Sequence, residues 1–229
     1  MNSELKEQLK QNFINCTKGF HIVNNATINE ATWEDINKQI FVASGIAVHS
    51  TSEGSHLPGM DIDSSLGKLS NKSAKYSLNK SSFDISSYRL TTVCNGTECG
   101  TIEEITKEIN KRKNFDYYSF MLRDESIIDT IHYDWLLIPS NHESLDPAKY
   151  TWTSTIGQRG RNKGKQVGWH TDIKNGCRMS ITFSMSSQLW IHIENTEEIK
   201  KHIIASNIVN KNPTMNYIQL ESLVLHNST

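Results

Sequence analysis

Gly59-Met60-Asp61-Ile62-Asp63 and, a few residues on, Gly67-Lys68-Leu69-Ser70-Asn71-Lys72-Ser73 decide how this chain is read. The first stretch puts a carboxylate just ahead of a short turn. The second reads as a strand, in which side chains alternate with a period of two. Lys68, Ser70 and Lys72 then share one face, with Leu69 and Asn71 on the other. A chain that folds back between Asp61 and Lys68 brings Asp61 close to Ser70 and Lys72. A carboxylate on a divalent metal, with a lysine beside the attacking water, is machinery for hydrolysing a phosphodiester.

The segments around this stretch predict an α/β (α+β) chain with a central mixed β-sheet flanked by helices. Leu5, Leu9 and Phe13 recur at four-residue spacing, and Trp33, Ile36 and Ile40 mark a second helix starting near Thr32. Residues 44–60 read as loop, with Gly45, Gly54, Pro58 and Gly59 as breakers. A strand pair follows at about 67–77 and 82–92. Thr101 and Glu104 form a capping box ahead of a helix with Ile102, Ile105 and Ile109 on its buried stripe. Strands follow at about 116–123 and 128–138. Trp135-Leu136-Leu137-Ile138 is apolar on both faces, as a central strand requires. Arg178 to Glu194 alternates as one long strand, interrupted at Ser187. A helix near 196–206 and a short strand near 217–225 close the chain.

The 229 residues suit a single domain, with a core over about 45–140 and later strands and a basic loop over about 150–195. A net charge of -1 does not by itself favour a nucleic-acid partner, but clustered cations serve one at any total charge. Cys16, Cys94, Cys99 and Cys177 lack CxxC spacing, which argues against a zinc site, and Cys94 and Cys99 read as two free thiols beside a turn, with a disulfide as the alternative. No leader and no apolar run near the ~20 residues of a membrane span is visible, so the expected setting is cytoplasmic.

One segment breaks the pattern. Gly157-Gln158-Arg159-Gly160-Arg161-Asn162-Lys163-Gly164-Lys165 holds four cations and three glycines in nine positions. Its spacing is not that of a nucleotide-phosphate loop. Cations on flexible backbone can follow a phosphate chain, and the plainer alternative is a solvated loop. On the 178–194 strand, Ser180, Thr182, Ser184, Ser186, Gln188, Trp190 and His192 form a polar face. Either it meets water, or its hydroxyl and amide groups, Ser186 and Gln188 above all, read base edges. His170 and Asp172 suggest a relay, but no nucleophile accompanies them, and neither a Gly-x-Ser-x-Gly elbow nor a His-Glu-x-x-His helix occurs.

Asp61, eight intervening residues, then Ser70-Asn71-Lys72 resembles the core of the PD-(D/E)XK nucleases. The flanking Gly59-Met60 and Ser73 are most similar to the PvuII-like branch of type II restriction endonucleases. The resemblance covers roughly Glu53 to Thr92. It implies a Mg²⁺-dependent, sequence-specific double-strand DNA endonuclease, with Asp61, Ser70 and Lys72 catalytic and Asp61 on the metal. The family's second acidic position matches Ser70, which has no charge, so Glu53 and Asp63 are the candidates for the remaining ligand. Ser70 would then hold a metal-bound water. Lys75, on the opposite face, is the rival to Lys72. The resemblance also implies that the strand after the active site meets DNA through Ser86, Ser87, Tyr88 and Arg89; pairing of Arg89 with Asp84 is the structural alternative. A palindromic target would require a two-fold homodimer. A non-catalytic DNA-binding protein on the same fold, and a repair or structure-specific nuclease, remain the alternatives.

Overall fold

The N-terminal stripes form two helices. In α1 (Ser3–Val23) the Asn2 side chain caps the Leu5 N–H, and Leu9, Phe13, Thr17 and His21 are buried. In α2 (Glu30–Ala43) Asn29 caps Thr32, and Trp33, Ile36, Asn37, Ile40 and Phe41 are buried. A computed structural model of the chain describes residues 2–51, 59–94, 100–184 and 187–226. The strands that follow are β1 (Val48–Thr51), β2 (Ile62–Ser64), β3 (Gly67–Lys75) and β4 (Ser82–Arg89). Helix α3 (Ile102–Arg112) opens on the expected Thr101/Glu104 capping box. Then come β5 (Tyr117–Asp124), β6 (Thr130–Pro139), β7 (Trp152–Ile156), β8 (Gln166–Thr171), β9 (Cys177–Thr182) and β10 (Gln188–Glu194). The chain ends with α4 (Glu197–Lys200), β11 (Ile203–Asn210) and α5 (Tyr217–His226).

These strands make two sheets. The first has the order β1-β2-β3-β5-β6-β11 and the second β4-β10-β9-β8-β7. Among the described strands only β3 and β5 pair in parallel, and α3 lies in the connection between them. One face of the first sheet packs on α1 and α2 through Leu69, Met121, Tyr133 and Trp135 against Phe13, Trp33 and Ile40. Its other face, with Tyr118, Phe120, Leu136 and Ile138, packs on α3 and on Phe83, Ile85, Ile181 and Ile191 of the second sheet. Trp135 to Ile138 is thus covered on both sides, as its apolar run demands. No helix among the described residues is long and apolar enough to cross a membrane.

Five expectations are corrected. The 44–60 segment contains β1, which pairs with β2. β3 and β4 are not partners in one sheet: they meet at a single bridge, Tyr76↔Phe83, after a turn in which Asn79 and Lys80 have φ of 58° and 54°. β4 has one apolar face, and that face packs across the first sheet instead of widening it. The long alternation from 178 to 194 is two strands. The Ser187 hydroxyl folds the turn, accepting from Ser184 N–H at 2.8 Å. Because Ile181 lies opposite Leu189, the inward parity carries through the hairpin and hides it. At the C-terminus, Ile199 and Ile203 mimic a helical stripe, but α4 stops at Lys200 and Ile203 starts β11, which pairs with β6. Residues 217–225 lie in a helix, α5; Asn216 and Gln219 cap each other's N–H groups ahead of it.

Candidate active site

The ladder between β2 and β3 runs only from Ser64↔Gly67 to Ile62↔Leu69. Asp61 N–H makes its last bond, to Leu69 C=O at 2.8 Å. Past Leu69, the edge of β3 has no neighbouring strand on this side among the described residues. The Asp61 carboxylate fills the gap, accepting the Asn71 N–H at 2.5 Å, and the Ser70 hydroxyl bonds the same carboxylate. Lys72 Nζ donates to Glu30 Oε1 at 2.8 Å and to Asn71 C=O at 2.7 Å. Glu30 opens α2, and Glu34 lies one turn further on. Three carboxylates and one ammonium thus converge from a helix, a pre-strand residue and a strand.

A buried polar network sets the helix against the strand. Asn37 Nδ2 donates to Asn71 Oδ1 at 2.6 Å and to Ser119 Oγ at 2.9 Å. Trp135 Nε1 donates to the same Ser119 hydroxyl, and Trp33 Nε1 to the Ser119 carbonyl. Asn37, Asn71 and Ser119 are wholly buried. The network lies on the face of β3 opposite Lys72, so it fixes where Glu30 and Glu34 stand without touching them.

Burial pushes Asp61 above the usual carboxylate range; Lys72 and the Asn71 N–H oppose the rise, and Glu30 adds to it. Glu34 is pushed up to about 7, by burial first and then by the charges of Asp61 and Glu30. Burial works to lower Lys72, but Glu30 and Asp61 outweigh it and hold the ammonium above its ordinary value. Three carboxylates thus share a single lysine, and burial and mutual repulsion hold protons on the raised acids; hard oxygen donors of this kind are the ligands that a divalent cation takes.

The structure brings Asp61, Ser70 and Lys72 together. Glu53 lies outside the described residues. Asp63 stands opposite Lys68 in the β2–β3 ladder, partly exposed, while the charges that bear on Asp61 are those of Lys72 and Glu30. Lys75 is exposed and pairs with Glu125 at 3.3 Å. Glu30 and Glu34 were missed by sequence reading. Their signal was an i, i+4 pair of acids beside the Trp33/Ile36/Ile40 stripe, at the start of the helix.

The surface candidates divide. Tyr88 is a core side chain, 5 % exposed, and its hydroxyl accepts from Tyr118 Oη at 3.2 Å. Ser87 bonds the same Tyr118 hydroxyl at 3.0 Å. Both brace Tyr118, which lies beside Ser70 on β5, so they stand behind the site and not on the surface expected of them. The cause is a slip in the β4–β10 register between Arg89↔Gln188 and Ser86↔Trp190, which turns Tyr88 inward. Arg89 is exposed, and Asp84 pairs with His192 at 2.7 Å. Ser186 lies outside the described residues. Ser86, Trp190, Ser180, His170 and Thr153 form one row across the five strands of the second sheet, with Trp190 42 % exposed. Gln188 and Arg89 are neighbours on that outer face.

The basic segment connects β7 to β8. Gly157 N–H donates to Lys165 C=O and Gly164 N–H to Gly157 C=O, closing the loop on itself. A Cβ at Gly157 would fall 2.3 Å from the Asn162 carbonyl, so the closure requires glycine there. Gln158, Arg159, Arg161, Lys163 and Lys165 all point into solvent. Among the described residues none of these four cations is ion-paired.

No family model matches the chain, and neither a curated protein nor a solved structure is similar to it.

Proposed function

We propose that this protein is a Mg²⁺-dependent endonuclease of double-stranded DNA, of the PD-(D/E)XK restriction type. The observation that carries the reading is the meeting of Glu30, Glu34, Asp61 and Lys72 at the open edge of β3. Asp61 would hold the metal, and Glu30 or Glu34, whose charges reach the site, would have to close on it to supply the acid absent at Ser70. Mg²⁺, when bound, polarises the phosphoryl oxygen and lowers the pKa of water. Lys72, clamped between Glu30 and the Asn71 carbonyl, presents a fixed positive charge where negative charge develops on the scissile phosphate. Ser70 and Asn71 orient the Asp61 carboxylate. The outer face of the second sheet and the Arg159–Lys165 loop supply the groups that would hold the duplex. A homodimer fits a palindromic site.

Incubation with plasmid in Mg²⁺ or in EDTA tests this. Discrete fragments that appear only with Mg²⁺ are expected, and Glu30→Gln should suppress them. Nicking or smearing points to a repair or structure-specific nuclease. A gel shift without cutting points to a binding protein.

A further inference from the structure

We propose that His142, Glu198 and His202 form a second metal site, for a zinc-class transition ion, separate from the carboxylate edge of β3. One potential ligand atom of each lies within 4.8 Å of those of the other two. The histidine rings meet edge to face, with centroids 5.3 Å apart. The donors come from three fixed stretches of backbone. His142 follows β6 and donates its N–H to the Pro139 carbonyl at 3.0 Å, while its own carbonyl takes the Leu145 N–H at 2.8 Å. His202 stands between α4 and β11; its N–H bonds the Ile199 carbonyl and its carbonyl the Leu137 N–H, both at 3.0 Å. Glu198 is four residues before His202, on α4, which Thr196 caps and Ile199 anchors in the core.

Two imidazoles and a carboxylate make a borderline donor set. It suits Zn²⁺ or Co²⁺ and suits Mg²⁺ poorly. The edge of β3 has the opposite chemistry, and β5 separates β3 from β6 in the sheet. Closing the three donors to bonding distance requires two small changes. Glu198 must leave Lys201, its exposed partner at 2.5 Å, a surface pair that costs little to give up. His142 must release the Ser144 N–H, which Nδ1 accepts at the long distance of 3.3 Å, because in the metal-bound ring the second nitrogen carries the proton. A bound ion ties the exit of β6 to the start of β11 and leaves a further coordination position for water.

The test uses the full chain with the Glu30→Gln and Asp61→Asn changes, stripped with chelator, so that the edge of β3 does not compete. Titration with Co²⁺ should give visible d–d absorption that saturates at one ion per chain, is abolished by Zn²⁺ and is untouched by millimolar Mg²⁺. His142→Ala or His202→Ala should weaken binding more than about 100-fold, since removing even an outer partner of a ligand costs about 10–100-fold. If a histidine variant fails to fold, Glu198→Gln on the exposed turn gives the same readout. Absence of saturable Co²⁺ absorption, or absorption that survives these substitutions, overturns the proposal.

Discussion

At the edge of β3 the charged side chains bear on one another. Lys72 is bonded to Glu30 and to backbone, Asp61 is bonded to Asn71 and Ser70, and Glu34 is set by α2 against both acids. On the outer face of the second sheet and its β7–β8 loop, most charges stand in water; the His192–Asp84 pair is the exception. Chemistry on a phosphate needs groups fixed before the substrate arrives. Holding a polyanion needs cations not already committed to a partner. Substitutions at β3 should therefore act as near all-or-none, and those on the second sheet as graded, independent reductions.

The largest effects should come from the fixed groups. Asp61→Asn should cut Mg²⁺-dependent cleavage by about 10³-fold or more while Ca²⁺-supported DNA binding persists, the scale of removing one preorganised electrostatic group. Lys72→Ala should do the same. Lys75→Ala, which removes only a surface pair with Glu125, should leave cleavage within a few-fold. Plasmid cutting by the three variants decides it. If Lys75→Ala is the damaging change, the comparison fails at its first step.

Asn37 tests whether the fixity comes from behind the site. Asn37→Leu leaves Asn71 Oδ1 buried without its donor, at a cost of about 1–3 kcal/mol. Thermal melting should register that cost, and cleavage should fall with little change in DNA affinity. Unchanged cleavage in a folded variant would mean that α2 is positioned by its apolar stripe alone.

A smaller effect should appear in the metal-free protein as pH changes. Glu34 rises from its ordinary 4.5 to about 7 in the fold. Between those values the folded state keeps a proton that the unfolded chain has given up, so stability falls as pH rises through that window. Melting temperature should drop between about pH 5 and pH 7.5 in the parent, and less steeply in Glu34→Gln. Millimolar Mg²⁺ should recover part of the drop. Parallel curves for the two proteins would remove Glu34 from the cluster.

The two regions also differ in how legible they were. Asp61, Ser70 and Lys72 lie within twelve residues of sequence, so strand periodicity and one turn suffice to bring them together. Glu30 and Glu34 come from a helix that packs on the other face of β3, a relation that no local pattern encodes. The expected mixed sheet flanked by helices is the first sheet; the second was not foreseen, because β4 carries a one-sided apolar stripe, and a stripe does not say which surface it will cover. Tyr88 was misplaced by one slipped residue in the β4–β10 register, which reverses inside and outside beyond it. The basic loop, by contrast, was read directly, because glycine and charge are local properties.

The finest contrast lies in salt dependence. If Arg159, Arg161, Lys163 and Lys165 rest on phosphates, each neutralises about one backbone charge and releases condensed counterions. On a duplex, the slope of log K against log salt then falls by about 0.9 for each phosphate that a substitution leaves without its cation. Lys163→Ala with Lys165→Ala should flatten it by up to about two per chain. Affinity should drop equally on specific and random DNA, because phosphate contacts carry no sequence information. Cleavage at saturating DNA should hold, since neither lysine touches the edge of β3. A changed preference among sites with an unchanged slope would move the loop from backbone to bases. If neither changes, the duplex lies elsewhere, most simply along the Ser86–Trp190–Ser180–His170 row. Trp190→Ala would then weaken binding and leave the salt slope intact, since a stacked or packed indole releases no counterion.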